Sequence, residues 1–360
     1  MNYNLEDRFL PNILLKKDRI SVSVYMETHR SSPENQQDRI RFKNLLQDVK
    51  KKLSLKFQKN DVEKMVISLN ELLEDENFWN STYDGLAVFI NSKDFLIYKL
   101  QTKVENMVYI SETFYIKPLV KYYQELKYYY ILQLNKKNFQ LYKGNRFSLN
   151  HVKLDSLVVN DIDKFFKEEG FDREKDFKKG LDKFYEYIDD FVNENYTAKY
   201  DNFLILSGNN QNQSIFRKIS KNKNLLKKGI DINSGEIDIN QMMKKFEEII
   251  IPEYEEKIEK LINVYYEKFN KLKTTSNLLE IGRALYDNKL DTLIVDEGCF
   301  VSGVIENNGT VKTESTDGEK IEKDLINDLI ILSFKFGAKI FVLEAKNMPK
   351  DIKYCAILRH

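Results

Sequence analysis

The clearest pattern near the start of the chain is an alternation. From Arg19 to Tyr25, Ile20, Val22 and Val24 alternate with Ser21, Ser23 and Tyr25, which predicts a strand with one buried face. Pro33 and two preceding serines break the pattern. Phe42, Leu46, Val49 and Leu53 then recur at steps of four, three and four, one stripe of a helix. A second helix, from Asp61 to Glu74, carries Val62, Met65, Val66, Leu69 and Leu73.

Two later segments, VFINSKDFLIYK (88–99) and LQLNKKNFQLYK (132–143), share the order Asn, any, Lys, Asp/Asn, Phe, two more, Tyr, Lys. Each predicts a hairpin in which four polar residues join two strands through a type I turn. Between them, Pro118 and a run of tyrosines suggest a crossing between domains. Beyond the second hairpin the pattern predicts an extended stretch from Val152 to Val159. A helix from Glu174 to Asn195 should follow, with Phe177, Leu181, Phe184, Tyr187, Ile188 and Phe191 on its inner side. The apolar run NFLILSG (202–208) reads as a buried strand, with helices near 210–220 and 239–250.

Pro252 suits the first turn of a new helix, striped by Tyr254, Ile258, Leu261, Ile262, Tyr265 and Phe269. The remainder predicts a helix at 277–287, the strand DTLIVD, a short strand at 300–305 and a polar tip at 305–320. A helix carrying Ile321, Leu325, Ile326, Leu329, Ile330 and Leu332 stops at Gly337, and AKIFVLE and YCAILR close the chain as strands. Three domains are expected, at 1–120, 121–250 and 251–360, of α/β (α+β) class.

Charge changes this picture only locally. Of 360 residues, 42% are hydrophobic and 31% charged, but Lys+Arg (57) and Asp+Glu (56) almost cancel. The whole molecule is therefore not committed to a polyanion, and any basic face must be local. One candidate is the first helix: Arg39 to Lys59 holds eight Lys/Arg and one acid, Asp48. Its cations either contact RNA or form a solvated face beside the more acidic second helix. The two cysteines, Cys299 and Cys355, lack CxxC spacing and read as reduced, buried thiols. Neither a signal pattern nor an apolar run of membrane-spanning length occurs, so a cytoplasmic protein with no membrane partner is expected.

Motifs for known chemistry are missing: there is no GxxxxGK[ST], GxGxxG after a strand, GxSxG or HExxH. His29, His151 and His360 are far apart in sequence, and neither a metal nor a cofactor is expected. Asp189–Asp190 and Glu247–Glu248 fall in Lys-rich helices, where a solvated face explains them. His29, with Thr28, is expected to anchor the turn after the first strand. Catalysis by His29 is not expected, since no partner acid or nucleophile is identifiable nearby in sequence.

VYMETHRSSPENQQDRIRFKNLL resembles the opening of bacterial proteins related to the archaeal and eukaryotic peptide-chain release factors and Pelota. Thr28-His29-Arg30 and Asp38-x-x-x-x-Lys43-Asn44-Leu45 carry most of the likeness. FYIKPLVKYY (114–123), FLILSG (203–208), RALYDNKLDTLIVDEG (283–298), the segment through FGAKIFVLEAKNMP and the closing CAILRH continue it in order. The resemblance implies an N-terminal domain, a ribonuclease-H-like middle domain and a C-terminal α/β/α domain similar to ribosomal proteins that bind kinked RNA.

In that family's hydrolytic members a Gly-Gly-Gln loop positions water against the peptidyl ester. No Gly-Gly-Gln exists in this chain, and the corresponding segment, within 158–180, has only Gly170 and Gly180. Without paired glycines a side chain blocks close backbone approach to the reacting carbonyl. What the resemblance then implies is a non-hydrolytic factor that binds stalled or idle ribosomes, for rescue, surveillance or hibernation. Its expected partners are the ribosome and its rRNA, with a translational GTPase as a further candidate. Candidate RNA-binding residues are Arg30, Arg39, Arg41, Lys43, Lys50, Lys51 and Lys52, and no catalytic residue is assigned. The alternatives are a metal-dependent nuclease or hydrolase using acids such as Asp155, Asp161 and Asp163, or a protein-interaction module built on the tyrosines at 122–130.

Overall fold

The computed structural model describes residues 3–9, 11–135, 137–198, 202–232, 238–313 and 323–359. It is mixed α/β, with three main sheets. The chain folds as two compact units: 1–124 together with 258–360, and 125–257.

The first unit opens with β1 (Asn4–Leu5), α1 (Pro11–Leu14) and β2 (Ser21–Glu27). Then come α2 (Asp38–Lys56), α3 (Lys59–Glu74), α4 (Glu76–Trp79), β3 (Gly85–Ile90), β4 (Phe95–Leu100), β5 (Met107–Ser111) and α5 (Lys117–Glu125). The sheet order is β1-β4-β3-β2-β5, which places β2 between β3 and β5, antiparallel to both. On one face Val22, Val24 and Met26 pack with Phe42, Leu46, Val49 and Leu53 of α2 and with Met65, Leu69 and Leu72 of α3. Burying each of these side chains contributes about 1.5–3 kcal/mol.

The other face of β2 is buried too, contrary to the one-faced strand that its alternation predicts. Serine can be buried when it bonds backbone. Ser23 Oγ accepts from Tyr115 N at 2.9 Å, and Ser21 Oγ donates to Glu112 O at 3.3 Å. The Tyr25 hydroxyl donates to Tyr115 O at 2.7 Å. The crossing expected around Pro118 is the helix α5, with Pro118 in its first turn, where the missing N–H costs nothing.

The middle unit contains β6 (Tyr129–Leu134), β7 (Phe139–Asn145), β8 (Ser148–His151), α6 (Ile162–Glu169), α7 (Phe177–Val192), β9 (Phe203–Gly208), α8 (Asn210–Ile219) and β10 (Ile230–Asp231). Its sheet order is β10-β9-β6-β7-β8: β6, β7 and β8 are antiparallel, while β6, β9 and β10 run parallel. One sheet face packs on Phe165, Phe166, Phe184, Tyr185 and Ile188. The other packs on Met242, Phe246, Ile249 and Ile250. The 152–159 stretch is not a strand: β8 ends at His151, and the following residues turn around Asp155, whose carboxylate accepts from Leu157 N at 2.9 Å.

Pro252 does not begin a helix but lies inside α9 (Ile239–Phe269). Its ring fixes a φ that helix tolerates, and the apolar stripes on both sides outweigh one lost backbone bond. After α9 come β11 (Thr274–Thr275), α10 (Leu278–Tyr286), β12 (Leu290–Asp296), β13 (Val304–Ile305), β14 (Val311–Lys312), α11 (Leu325–Lys335), β15 (Lys339–Leu343) and β16 (Tyr354–Leu358). The sheet order is β11-β16-β12-β15, and β13 pairs with β14. The strand expected at 300–305 shrinks to Val304–Ile305. Gly337, at φ +67°, provides the left-handed stop after α11. Ile321 and residues 314–320 of the polar tip lie outside the described residues.

Within this first unit the two ends of the chain meet through buried polar groups. Asn327 donates to Phe114 O at 3.0 Å and accepts from Ile116 N at 2.8 Å. Lys117, almost wholly buried, donates to Cys299 O and lies 3.7 Å from the Asp324 carboxylate. Asp324 caps α11, its Oδ1 accepting from Ile326 N at 3.0 Å and from Val301 N at 3.2 Å.

Both cysteines are buried, which raises their thiol values, that of Cys355 to about 12. At pH 8 a thiol of that value is about one ten-thousandth thiolate. Iodoacetamide should therefore modify neither cysteine in the folded chain within an hour, and both in denaturant. Mass spectrometry checks this; rapid labelling of Cys355 under native conditions would contradict the burial.

Candidate nucleic-acid interface

The loop after β2 is built around one carboxylate. Asp38, the first residue of α2, is fully buried. Its Oδ2 accepts from His29 N at 2.7 Å, while Oδ1 lies 2.9 Å from His29 Nδ1 and accepts from Arg41 Nη1 at 3.1 Å. Thr28 Oγ1 donates to Tyr83 O and Thr82 Oγ1 donates to His29 O, both at 2.9 Å. Arg41 Nη1 also lies 3.1 Å from His29 Nδ1, so the ring edge is held between a carboxylate and a guanidinium. The other ring nitrogen, Nε2, lies 3.7 Å from Glu27 Oε1. The bond from Lys103 holds the Glu27 carboxyl below its ordinary value. The acid partner that sequence reasoning did not find is thus Asp38, nine residues on. Its signal was an acidic residue at the start of the helical stripe, where a carboxylate meets free N–H groups. Ion pairs of this loop, and not a nucleophile, surround the imidazole.

Most of the expected RNA-binding cations have internal partners. Arg30 makes a forked pair with Asp84, at 2.6–3.1 Å, and lies over the Tyr83 ring. Arg39 bonds Leu73 O at 2.8 Å and pairs with Glu74. Lys50 donates to Asn70 Oδ1 at 3.0 Å, and Lys52 pairs with Asp48 at 2.9 Å. Only Lys43 and Lys51 are exposed with no partner among the described residues. Close pairing lowers the field that a distant phosphate would feel.

The segment 158–180, expected to correspond to a hydrolytic loop, is two packed helices. Gly170 caps α6 at φ +74°. Gly180 lies within α7, where an added Cβ would come within 2.5 Å of the Phe166 ring. Gly170 therefore ends a helix at the surface, and Gly180 serves the packing of the two helices. The acids of the nuclease alternative are occupied locally: Asp161 caps α6, and Asp163 pairs with Arg173. Among the described residues no three His, Cys, Asp or Glu side chains converge as metal ligands. His151 packs edge-on against Tyr142, and His360 lies outside the described residues. Tyr122 is buried on α5, and Tyr129 and Tyr130 are buried in β6, so these rings fill cores. Among the described residues no helix is long and apolar enough to cross a membrane.

Comparison with known proteins gives one family match: residues 128–289 fit the family model of bacterial archaeo-eukaryotic release factor family 3. No curated protein matches the chain. Among solved structures, the archaeal translation termination factor aRF1 is 13% identical, covers 97% of this chain and 95% of its own, and has a TM-score of 0.27. Pelota of Thermoplasma acidophilum is 10% identical over 77% of this chain and 86% of its own, at 0.24. The S. cerevisiae translation termination-like factor Dom34 is 14% identical over 77% and 79%, at 0.39.

Proposed function

We propose, from the premise that this chain is a relative of the archaeo-eukaryotic release factors through residues 128–289, that it is a ribosome-associated factor without ester-hydrolysing activity. The observation that carries this reading is the family match combined with a sequence that has no Gly-Gly-Gln. Support comes from the 158–180 segment, where Gly170 ends α6 and Gly180 packs against Phe166, so no two adjacent glycines lie open together. We read the middle sheet, three antiparallel strands followed by two parallel ones, as ribonuclease-H-like. The segment around β12, β15 and β16, with α10 and α11, is read as the α/β/α domain, and the domain limits as 1–120, 121–250 and 251–360. Stalled or idle ribosomes are the proposed target, with Lys43 and Lys51 as the freest RNA contacts on α2.

The test is co-sedimentation of the purified chain with idle and stalled ribosomes over a salt series. Binding should occur at low salt and weaken steeply as salt rises, because each neutralised phosphate releases counterions. In parallel, peptidyl-tRNA on those ribosomes should keep its peptide. Absence of binding to both kinds of ribosome, or release of the peptide, would overturn the reading.

A further inference from the structure

The most cationic stretch of this charge-balanced chain is not on α2. Residues 217–228, RKISKNKNLLKK, hold six Lys or Arg and no acid, and no Asp or Glu occurs from Asn202 to Ile230. Arg217 and Lys218 end α8, and the loop that follows carries Lys221, Lys223, Lys227 and Lys228 to β10. None of the six forms an ion pair among the described residues. Acids near the loop are occupied: Asp189 accepts from Ser220 Oγ at 2.5 Å and Lys221 N at 2.7 Å, Asp231 accepts from Asn210 Nδ2 at 2.8 Å, and Glu186, which also feels Lys221, pairs with Lys183 at 2.6 Å.

Between α8 and this loop lies a shallow cavity of about 400 Å³. Ser214, Arg217 and Lys218 line it from the helix, with Lys227 and Gly229 opposite, and no acid lines it. Its floor is fixed, because the buried Gln213 amide donates to Gly208 O at 2.8 Å and Ile230 O at 3.0 Å. At Gly229 a Cβ would collide with the Gln213 side chain, so only glycine keeps this wall low. Arg217 Nη1 donates to Leu226 O at 2.6 Å, which aims the guanidinium, while its buried Nη2 has no partner. A buried N–H of a charged group without an acceptor is costly to leave unmade. Burial also pushes the Arg217 value down, the mark of a cation that no local anion compensates.

We propose that this cleft is a phosphate-group site, and that its occupant is the phosphodiester backbone of single-stranded RNA running along residues 217–228. Lys218, Lys227 and the Ser214 hydroxyl would surround one phosphate, with the Arg217 guanidinium, its Nη2 buried, supplying positive charge from the wall behind them. A free phosphate would satisfy the cavity alone, whereas the cations continue beyond it through Lys221, Lys223 and Lys228, as a linear polyanion requires. No aromatic ring lines the cleft, so contact is to the backbone and is indifferent to base sequence. This site does not depend on ribosome association.

The test is fluorescence anisotropy of a labelled mixed-sequence 12-nucleotide RNA with the full chain at low salt. The wild-type chain should bind, and Arg217→Gln should weaken binding about tenfold, the loss of one positive charge behind the phosphate. The doubly substituted K218E/K227E, at exposed positions outside the core, should weaken it about a hundredfold. The control K43E/K51E, in the other unit, should change it less than about threefold. Wild-type binding of no RNA, or equal binding by the wild type and both groove variants, overturns the site. Binding of inorganic phosphate at the cleft without RNA binding overturns the backbone assignment. Ribosome sedimentation reads separately: its failure with retained RNA binding removes the proposed function and leaves the cleft.

Discussion

Asp324→Ala is expected to destabilise the unit formed by 1–124 and 258–360 by about 3–5 kcal/mol. The carboxylate is fully buried beside Lys117, itself almost wholly buried at 3.7 Å, so its removal leaves a charge that water cannot reach. The same change deletes two bonds from backbone N–H groups, including the cap of α11, an effect of about 1 kcal/mol within that total. Urea denaturation followed by Trp79 fluorescence measures it, as a lower midpoint with an unchanged slope. A loss below about 1 kcal/mol would mean that the Lys117 ammonium does not depend on this partner.

The pH dependence of that pair has a definite sign. Burial raises the Asp324 carboxyl above its ordinary value of 3.8, with Lys117 and the backbone donors opposing. An acid whose folded value lies above its unfolded value binds its proton more tightly in the folded chain. Its contribution to stability therefore grows as pH falls through the folded value towards 3.8, and is lost as pH rises again. Asp324→Asn should flatten this component of the stability profile on the acid side. A profile identical to that of the wild type would show that Asp324 ionises as an ordinary carboxyl.

Asp38→Ala is the second large effect expected, about 3 kcal/mol, with loss of the ordered loop after β2. The fully buried carboxylate holds the His29 backbone N–H, faces its imidazole and neutralises Arg41. Alanine leaves a buried N–H without an acceptor and brings the Arg41 and His29 donors together unscreened. Asp38→Asn keeps one acceptor but turns a donor towards the same groups, and should recover less than half of the loss. Hydrogen exchange at 28–38 distinguishes loop opening from global unfolding. Unchanged protection there in Asp38→Ala would show that the Thr28–Tyr83, Thr82–His29 and Arg30–Asp84 bonds suffice to hold the loop.

How much of this could be read from the chain depends on the range of the interaction involved. The stripe Phe42, Leu46, Val49 and Leu53 is buried as its spacing required. Both polar-turn hairpins form, with Asn91 N bonding Asp94 O and Asn135 N bonding Asn138 O. Periodicity and turn chemistry act over a few residues, and sequence displays them directly. The family match over residues 128–289 includes FLILSG and the start of RALYDNKLDTLIVDEG, while the N-terminal segments that carried most of the resemblance lie outside it. By contrast, the alternation in β2 named only one buried face, because Ser21 and Ser23 become internal through backbone partners some ninety residues away.

The same limit governed the candidate site. The cations of α2 stood out as a local run, and only folding showed that Arg30, Arg39, Arg41 and Lys52 face acids from the same unit. The run at 217–228 was passed over in favour of α2, and its significance required the cleft against α8 and the unmatched Arg217 nitrogen. Read alone, the chain settles most helices and strands, the missing Gly-Gly-Gln and the lack of Asp or Glu from Asn202 to Ile230. Which charges are neutralised emerges on folding, because Coulomb energy depends on distance and burial and not on order along the chain.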